Sequence, residues 1–81
     1  MRITIRLFAK LRDLAGAAES RHEVAEGATV ETAWQAVSRD CPALAPYRPS
    51  LAAAVNADYA RFTTALSDGD EVAFLPPVSG G

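Results

Sequence analysis

The residues with the clearest chemical potential stand at the end of the sequence, where Pro76-Pro77-Val78-Ser79-Gly80-Gly81 follows the apolar Leu75. Proline cannot donate to a sheet ladder and favours stiff, extended backbone. Glycine has no Cβ, so a diglycine backbone enters a slot too narrow for any other residue. Such an arm grades from stiff to slim and reaches at most about 20 Å. A carboxylate at its tip is inert at neutral pH. It becomes an acyl donor only when ATP-dependent adenylation converts it to an acyl-adenylate, inside an enzyme able to close around a thin terminus. Attack by a sulfur donor then leaves a thiocarboxylate, ionised and nucleophilic near neutral pH as a thiolate would be. The competing reading is an ordinary frayed end, because chain termini are commonly poorly ordered. Against it stands the combination of diglycine, a Pro-Pro stiffener and an apolar strand just upstream, on a chain with no other candidate chemistry.

The remaining chemistry-bearing residues have plainer explanations. His22 is the single histidine, which removes any site built on several histidines; it reads as a surface residue of a strand. Cys41 is the single cysteine, so no internal disulfide forms. It ends an apolar helical stripe and reads as a small buried hydrophobe rather than a persulfide carrier. Trp34 has core spacing. Asp68 and Asp70 flank Gly69 as turn residues and lack the spacing of a calcium-chelating loop. No Ser/His/Asp set or phosphate-cradling glycine loop is present, and the chain is expected to bind no metal and no cofactor of its own.

Composition narrows the classes. Eighty-one residues make one small domain, and 49% hydrophobic content argues against disorder. A net charge of -2, with acids and bases mixed along the chain, supplies no field for nucleic acid or an anionic membrane. The N-terminus alternates charged and apolar residues, unlike a secretion signal, and no stretch is long enough to span a bilayer. A cytoplasmic domain is expected.

The elements that must position the tail follow from periodicity. In residues 2–8, Ile3, Ile5 and Leu7 share one face while Arg2, Thr4, Arg6 and Phe8 share the other, the pattern of a strand with one buried side. Leu11, Leu14 and Ala15 predict a short helical turn capped by Gly16. Residues 19–24 read as a second, weaker strand. Glu26-Gly27 is a turn, Thr29 an N-cap, and Val30, Ala33, Trp34, Val37 and Cys41 one stripe of an amphipathic helix that Pro42 ends. Residues 42–50, with three prolines, read as an irregular loop. A strand over 51–56 and a turn at Asn56-Ala57-Asp58 come next. A short strand over 59–63 follows, with Phe62 inward, then a turn at 67–70 and a last strand over 71–75.

One amphipathic helix on one mixed sheet is the simplest solution for this order: an α+β, ubiquitin-like β-grasp domain over 1–75 with an extended tail over 76–81. That fold sets its first and last strands side by side. Alternation then places Phe8 and Leu75 on the open face of the sheet, with Tyr59 beside them and Ala73 sharing Leu75's side. An apolar cluster beside a reactive tail is a docking patch, the alternative being that Phe8 and Leu75 curl over the sheet edge to serve the core. Arg6, Arg12 and Arg61 are candidate rim residues, each also explained as an ordinary solvated charge.

The stretch Arg6-Leu7-Phe8-Ala9-Lys10-Leu11-Arg12 with Gly16, the strand Ala53-Ala54-Val55-Asn56, and the ending Asp68 through Gly81 together resemble the small subunits of molybdopterin synthase. The similarity covers both ends and the middle at compatible spacing. It implies a sulfur carrier, not catalytic alone. A ubiquitin-activating-type adenylyltransferase would activate Gly81 with ATP, and a sulfurtransferase system would supply sulfur. The molybdopterin synthase large subunit would then accept the thiocarboxylate of Gly81, carried on Gly80, for transfer to cyclic pyranopterin monophosphate. The family assembly is a heterotetramer. Phe8, Tyr59, Leu75, Pro76, Pro77, Val78 and Ser79 would contact the partner. Sulfur carriers for thiazole or cysteine synthesis share the fold and the diglycine end, as do ubiquitin-like protein modifiers, and these remain alternatives.

Overall fold

The computed structural model describes residues 1–77; the expectations placed on Val78, Ser79, Gly80 and Gly81 lie outside the described residues. The alternating N-terminus forms β1 (Arg2–Leu7), with Ile3, Ile5 and Leu7 buried. Phe8 stays extended (φ -123°, ψ 155°), so the alternation runs one residue further. Ala9 then takes a left-handed φ of 52°, a conformation that costs an L-residue about 1–2 kcal/mol, and turns the chain into α1 (Ala9–Ala15). Gly16 (φ 76°) ends α1 and donates its N–H to the Arg12 carbonyl at 2.9 Å. β2 (Glu19–Glu23) returns antiparallel to β1.

Helix α2 (Val30–Asp40) starts in a reciprocal cap. The Thr29 N–H donates to Thr32 Oγ1 at 3.1 Å, and the Thr32 N–H donates to Thr29 Oγ1 at 3.4 Å. Its stripe Val30, Ala33, Trp34 and Val37 is buried against the sheet. β3 (Ala52–Val55), β4 (Asp58–Ala60) and β5 (Glu71–Leu75) complete a five-stranded sheet in the order β2-β1-β5-β3-β4. β1 and β5 run parallel at its centre, Thr4 opposite Glu71 and Leu7 opposite Phe74.

Phe74 organises the core. Trp34 meets its ring edge-on at 5.0 Å between centroids, and Phe62 stacks on it at 6.0 Å. Arg48 lies 3.5 Å over the outer face of Phe62 and donates from Nε and Nη2 to Glu31 Oε1 at 2.9 and 2.6 Å. One guanidinium thus closes the core's edge and ties residues 42–50 to α2.

Three expectations need correction. Residues 42–50 are not irregular but a 3₁₀ run (Pro42–Ser50) that buries Leu44. The prolines fix φ near the value this helix uses. The strand expected over 59–63 is β4, which ends at Ala60. The Thr64 N–H bonds the Arg61 carbonyl at 3.0 Å, closing a turn that swings Phe62 inward from outside the sheet. The turn after β3 is the two residues Asn56 and Ala57, both at positive φ (50° and 73°), and Asp58 already belongs to β4.

Removing the Phe74 ring leaves Trp34 and Phe62 without their shared partner. Phe74→Ala is expected to cost about 3–5 kcal/mol of unfolding free energy in urea titrations. A loss below about 1 kcal/mol would show that the core does not depend on this ring.

Candidate functional site

Burying Ile5, Leu7, Val72 and Phe74 on the α2 side forces their neighbours onto the other side of the sheet. One row of that open face reads Arg6, Ala73, Ala54, Tyr59 across β1, β5, β3 and β4. Leu75 follows in β5, and Phe8 stands beyond β1. Together they form a groove of about 290 Å³. Ala54 and Ala73 make its floor; Phe8, Leu75 and Tyr59 rise around it. Tyr59 is 86% exposed and Phe8 36%, while Leu75 is half-buried. The alanines leave room that larger side chains would fill, so the rings project from a shallow apolar floor instead of covering it.

Arg6 and Glu71 line the polar side, Arg6 Nη1 lying 3.5 Å from Glu71 Oε1. The Arg6 guanidinium also sits 5.4 Å from the Phe8 ring centroid. Both side chains are close to half exposed, so the pair adds little to stability. It does border the groove with charge on one side only.

The tail leaves from this groove. Leu75 is the last residue of β5, Pro76 is half-buried and Pro77 exposed. Of the residues singled out from the sequence, Phe8, Tyr59 and Leu75 come together, with Pro76 next in the chain. Arg6 borders the groove; Arg12 and Arg61 are exposed but do not line it. Ala54, Ala57 and Glu71 were not anticipated as lining residues. The signal for the floor was the run Ala52-Ala53-Ala54, small on both faces of a strand.

Two other expectations are corrected here. His22 is not a surface residue: it pairs with Ile3 and so faces the α2 side, where its side chain is 13% exposed. Its Nε2 lies 2.9 Å from Ser20 Oγ and its Nδ1 3.9 Å from Asp40 Oδ2. Cys41 caps α2 and is half-buried, its thiol 3.6 Å from the Leu14 carbonyl. The acidic pair at 68–70 is occupied with turn construction. Asp68 Oδ1 accepts the Arg2 N–H at 2.7 Å, Asp70 Oδ2 accepts the Ser67 N–H at 2.7 Å, and Asp70 Oδ1 accepts from Asn56 Nδ2 at 2.9 Å.

The chain as a whole is similar to known proteins. The family model described as the ThiS family matches residues 5–81. A molybdopterin synthase sulfur carrier subunit of Escherichia coli (strain K12) is 43% identical over 98% of this chain and 99% of its own length. The protein of the same designation from Chlamydomonas reinhardtii is 40% identical over the whole of both chains. Among solved structures, SAMP1 from Haloferax volcanii superposes with a TM-score of 0.90 at 32% identity, covering both chains fully; another structure from that organism is of small archaeal modifier protein 1, at a TM-score of 0.85 and 30% identity over 95% of this chain and 98% of its own.

A ring standing 86% exposed contributes little to its own fold. Tyr59→Ala is expected to change unfolding free energy by no more than about 0.5 kcal/mol, read from thermal or urea unfolding. A loss above about 2 kcal/mol would reassign Tyr59 to the support of the sheet.

Proposed function

We propose that this chain, which belongs to the ThiS family, is the sulfur-carrying small subunit of molybdopterin synthase and donates sulfur from the carboxyl group of Gly81. The observation that carries the reading is the meeting of an apolar groove with the end of β5, at the point where the chain passes into Pro-Pro-Val-Ser-Gly-Gly. A partner seated on Phe8, Tyr59 and Leu75 receives the tail at a set position and angle. Pro76, Pro77, Val78 and Ser79 then thread into it as an extended segment. The domain over 1–75 docks, and the segment over 76–81 delivers.

The chemistry runs in three steps. A Gly81 carboxylate oxygen attacks the α-phosphate of ATP within a ubiquitin-activating-type adenylyltransferase, and pyrophosphate leaves. A persulfide of a sulfurtransferase system displaces AMP at the acyl carbon to give an acyl disulfide, and a second thiol then takes the carrier sulfur as a disulfide, breaking the S–S bond and leaving the thiocarboxylate. In the large subunit's active site that sulfur passes to cyclic pyranopterin monophosphate, two carriers being consumed per dithiolene. Gly80 and Gly81 contribute slimness, which lets two different active sites close on the same terminus. The relatives are designated sulfur carrier subunits, which supports reading the chain as a donor and not a catalyst by itself. The relatives' designation as subunits supports assembly with another chain, in the family's case a heterotetramer. ATP is used by the activating enzyme and not held here. No helix among the described residues is long and apolar enough to cross a membrane. A cytoplasmic location suits chemistry that consumes ATP and needs reduced sulfur.

A second reading is favoured by the full-length likeness to SAMP1. A protein modifier uses the same acyl-adenylate and differs only in the nucleophile, an amine in place of sulfur. Thiazole and cysteine synthesis use carriers of the same fold; the Phe8-Ala9-Lys10-Leu11-Arg12 stretch and the Pro-Pro-Val-Ser ending weigh against them.

Incubation with ATP, the adenylyltransferase and a sulfur donor is expected to exchange one oxygen for sulfur at Gly81, read by intact-mass spectrometry. Deleting Gly81 is expected to abolish dithiolene formation while leaving the circular dichroism spectrum unchanged. Dithiolene made by the truncated chain would refute the mechanism. Leu75→Asp places a charge in the groove and is expected to weaken large-subunit binding by tenfold or more in calorimetry; unchanged affinity would remove the groove from the interface.

A further inference from the structure

Among the described residues, six have a positive φ. Three are Gly16, Gly27 and Gly69, for which that conformation costs little. Asn56 and Ala57 form the two-residue turn between β3 and β4, a turn type that needs both central residues left-handed. Ala9 (φ 52°) stands apart, an L-residue in the left-handed region with no hairpin turn to demand it. Its side chain is exposed, so the methyl adds nothing to the core, and glycine would make the same bend with less strain. What the methyl does is restrict the backbone. On one side of Ala9, Leu11 is fully buried and anchors α1, and its N–H donates to the Phe8 carbonyl at 3.1 Å. On the other side, Phe8 continues the extension of β1 and forms a wall of the groove, 36% exposed. With so much of its ring in solvent, Phe8 is held through its backbone, fixed by β1 before it and by the bend at Ala9 after it.

We propose that Ala9 is a positioning residue, whose strained and restricted bend holds Phe8 as a fixed wall of the groove before a partner arrives. Glycine at the bend would let φ take either sign and let Phe8 swing with it. Alanine removes most of that freedom, at the expense of some stability in the free chain. A wall already in place need not be ordered on docking, so the restriction is returned as affinity. Ala9 does not itself line the groove, so its replacement reaches a partner through Phe8. The inference rests on the docking of the large subunit in this groove, set out under Proposed function.

The test uses the full chain and the large subunit of molybdopterin synthase, with affinity read by calorimetry and stability by urea titration. Ala9→Gly is expected to hold or raise the urea midpoint, because strain is relieved, and to weaken binding about threefold or more. A residue that merely supports the fold would lower the midpoint instead. A chain synthesised with D-alanine at position 9 keeps the restriction without the strain and is expected to bind as tightly as the parent. Unchanged affinity in Ala9→Gly, a lowered urea midpoint, or D-alanine binding no better than glycine overturns the proposal. Leu75→Asp is titrated alongside; if it binds as the parent does, the groove is not the docking surface and the reading under Proposed function fails instead. The holding of Phe8 is then decided on the free chain by amide nitrogen relaxation. Phe8 is expected to match Ile5 in rigidity in the parent and to become more mobile in Ala9→Gly; equal rigidity in both chains overturns the proposal.

Discussion

The parallel pairing of β1 and β5 at the middle of the sheet is the constraint on which the rest depends. Antiparallel strands can be joined by a tight turn, but two parallel neighbours need a long crossover. Here the crossover is nearly the whole intervening chain, from Phe8 to Asp70, and it holds both helices and the other three strands. The direction of β5 is thereby tied to that of β1. Their C-terminal ends emerge at the same edge, so the residue after β1 and the last residue of β5 become neighbours. Phe8 beside Leu75, with the tail beginning between them and the rest of the groove, is a consequence of strand direction alone.

That central pairing survives because its start is pinned and its inner face is packed. The turn at 67–70 is bonded to β1 through Gly69 N–H to the Arg2 carbonyl (2.8 Å) and Thr4 N–H to the Asp70 carbonyl (3.0 Å). Asn56 ties the β3–β4 turn to the same place, its Oδ1 accepting the Glu71 N–H at 3.0 Å. These bonds exclude a register shift of β5. A slip by one residue would carry Phe74 to the open face and Leu75 into the core. Among the described residues no polar or charged side chain is fully buried. The small core therefore loses nothing to unpaired polar groups, which matters for a chain of this size.

The two faces of the sheet divide the labour. The α2 side is filled by large apolar groups around Phe74. The open side is floored with alanine, so rings at its margin remain exposed instead of covering the sheet. A smooth apolar floor ringed by Phe8, Leu75 and Tyr59 offers a partner area to bury, and the Arg6–Glu71 pair marks one direction of approach. The chain leaves this surface at Pro76, directly after the last strand.

Much of this was legible in residue order. Alternation in 2–8 and 71–75 specified which side chains face inward, and the spacing from Val30 to Val37 specified the helix that covers them. Pro76 marked where β5 must stop. These are local properties, set by backbone sterics and by the periods of strand and helix. The 3₁₀ run at 42–50, the early end of β4, the inward placement of His22 and the alanine floor were not legible. Each is decided by what lies across from it: Leu44 fills core volume, Phe62 is drawn in by Phe74 and held by Arg48, His22 takes its side from Ile3 through cross-strand register. Sequence by itself determined the two central strands, the main helix and the residue types of the terminus. Only tertiary structure decided that Phe8, Tyr59 and Leu75 share one groove at the tail's point of departure, because their proximity arises from strand pairing between residues far apart in the chain.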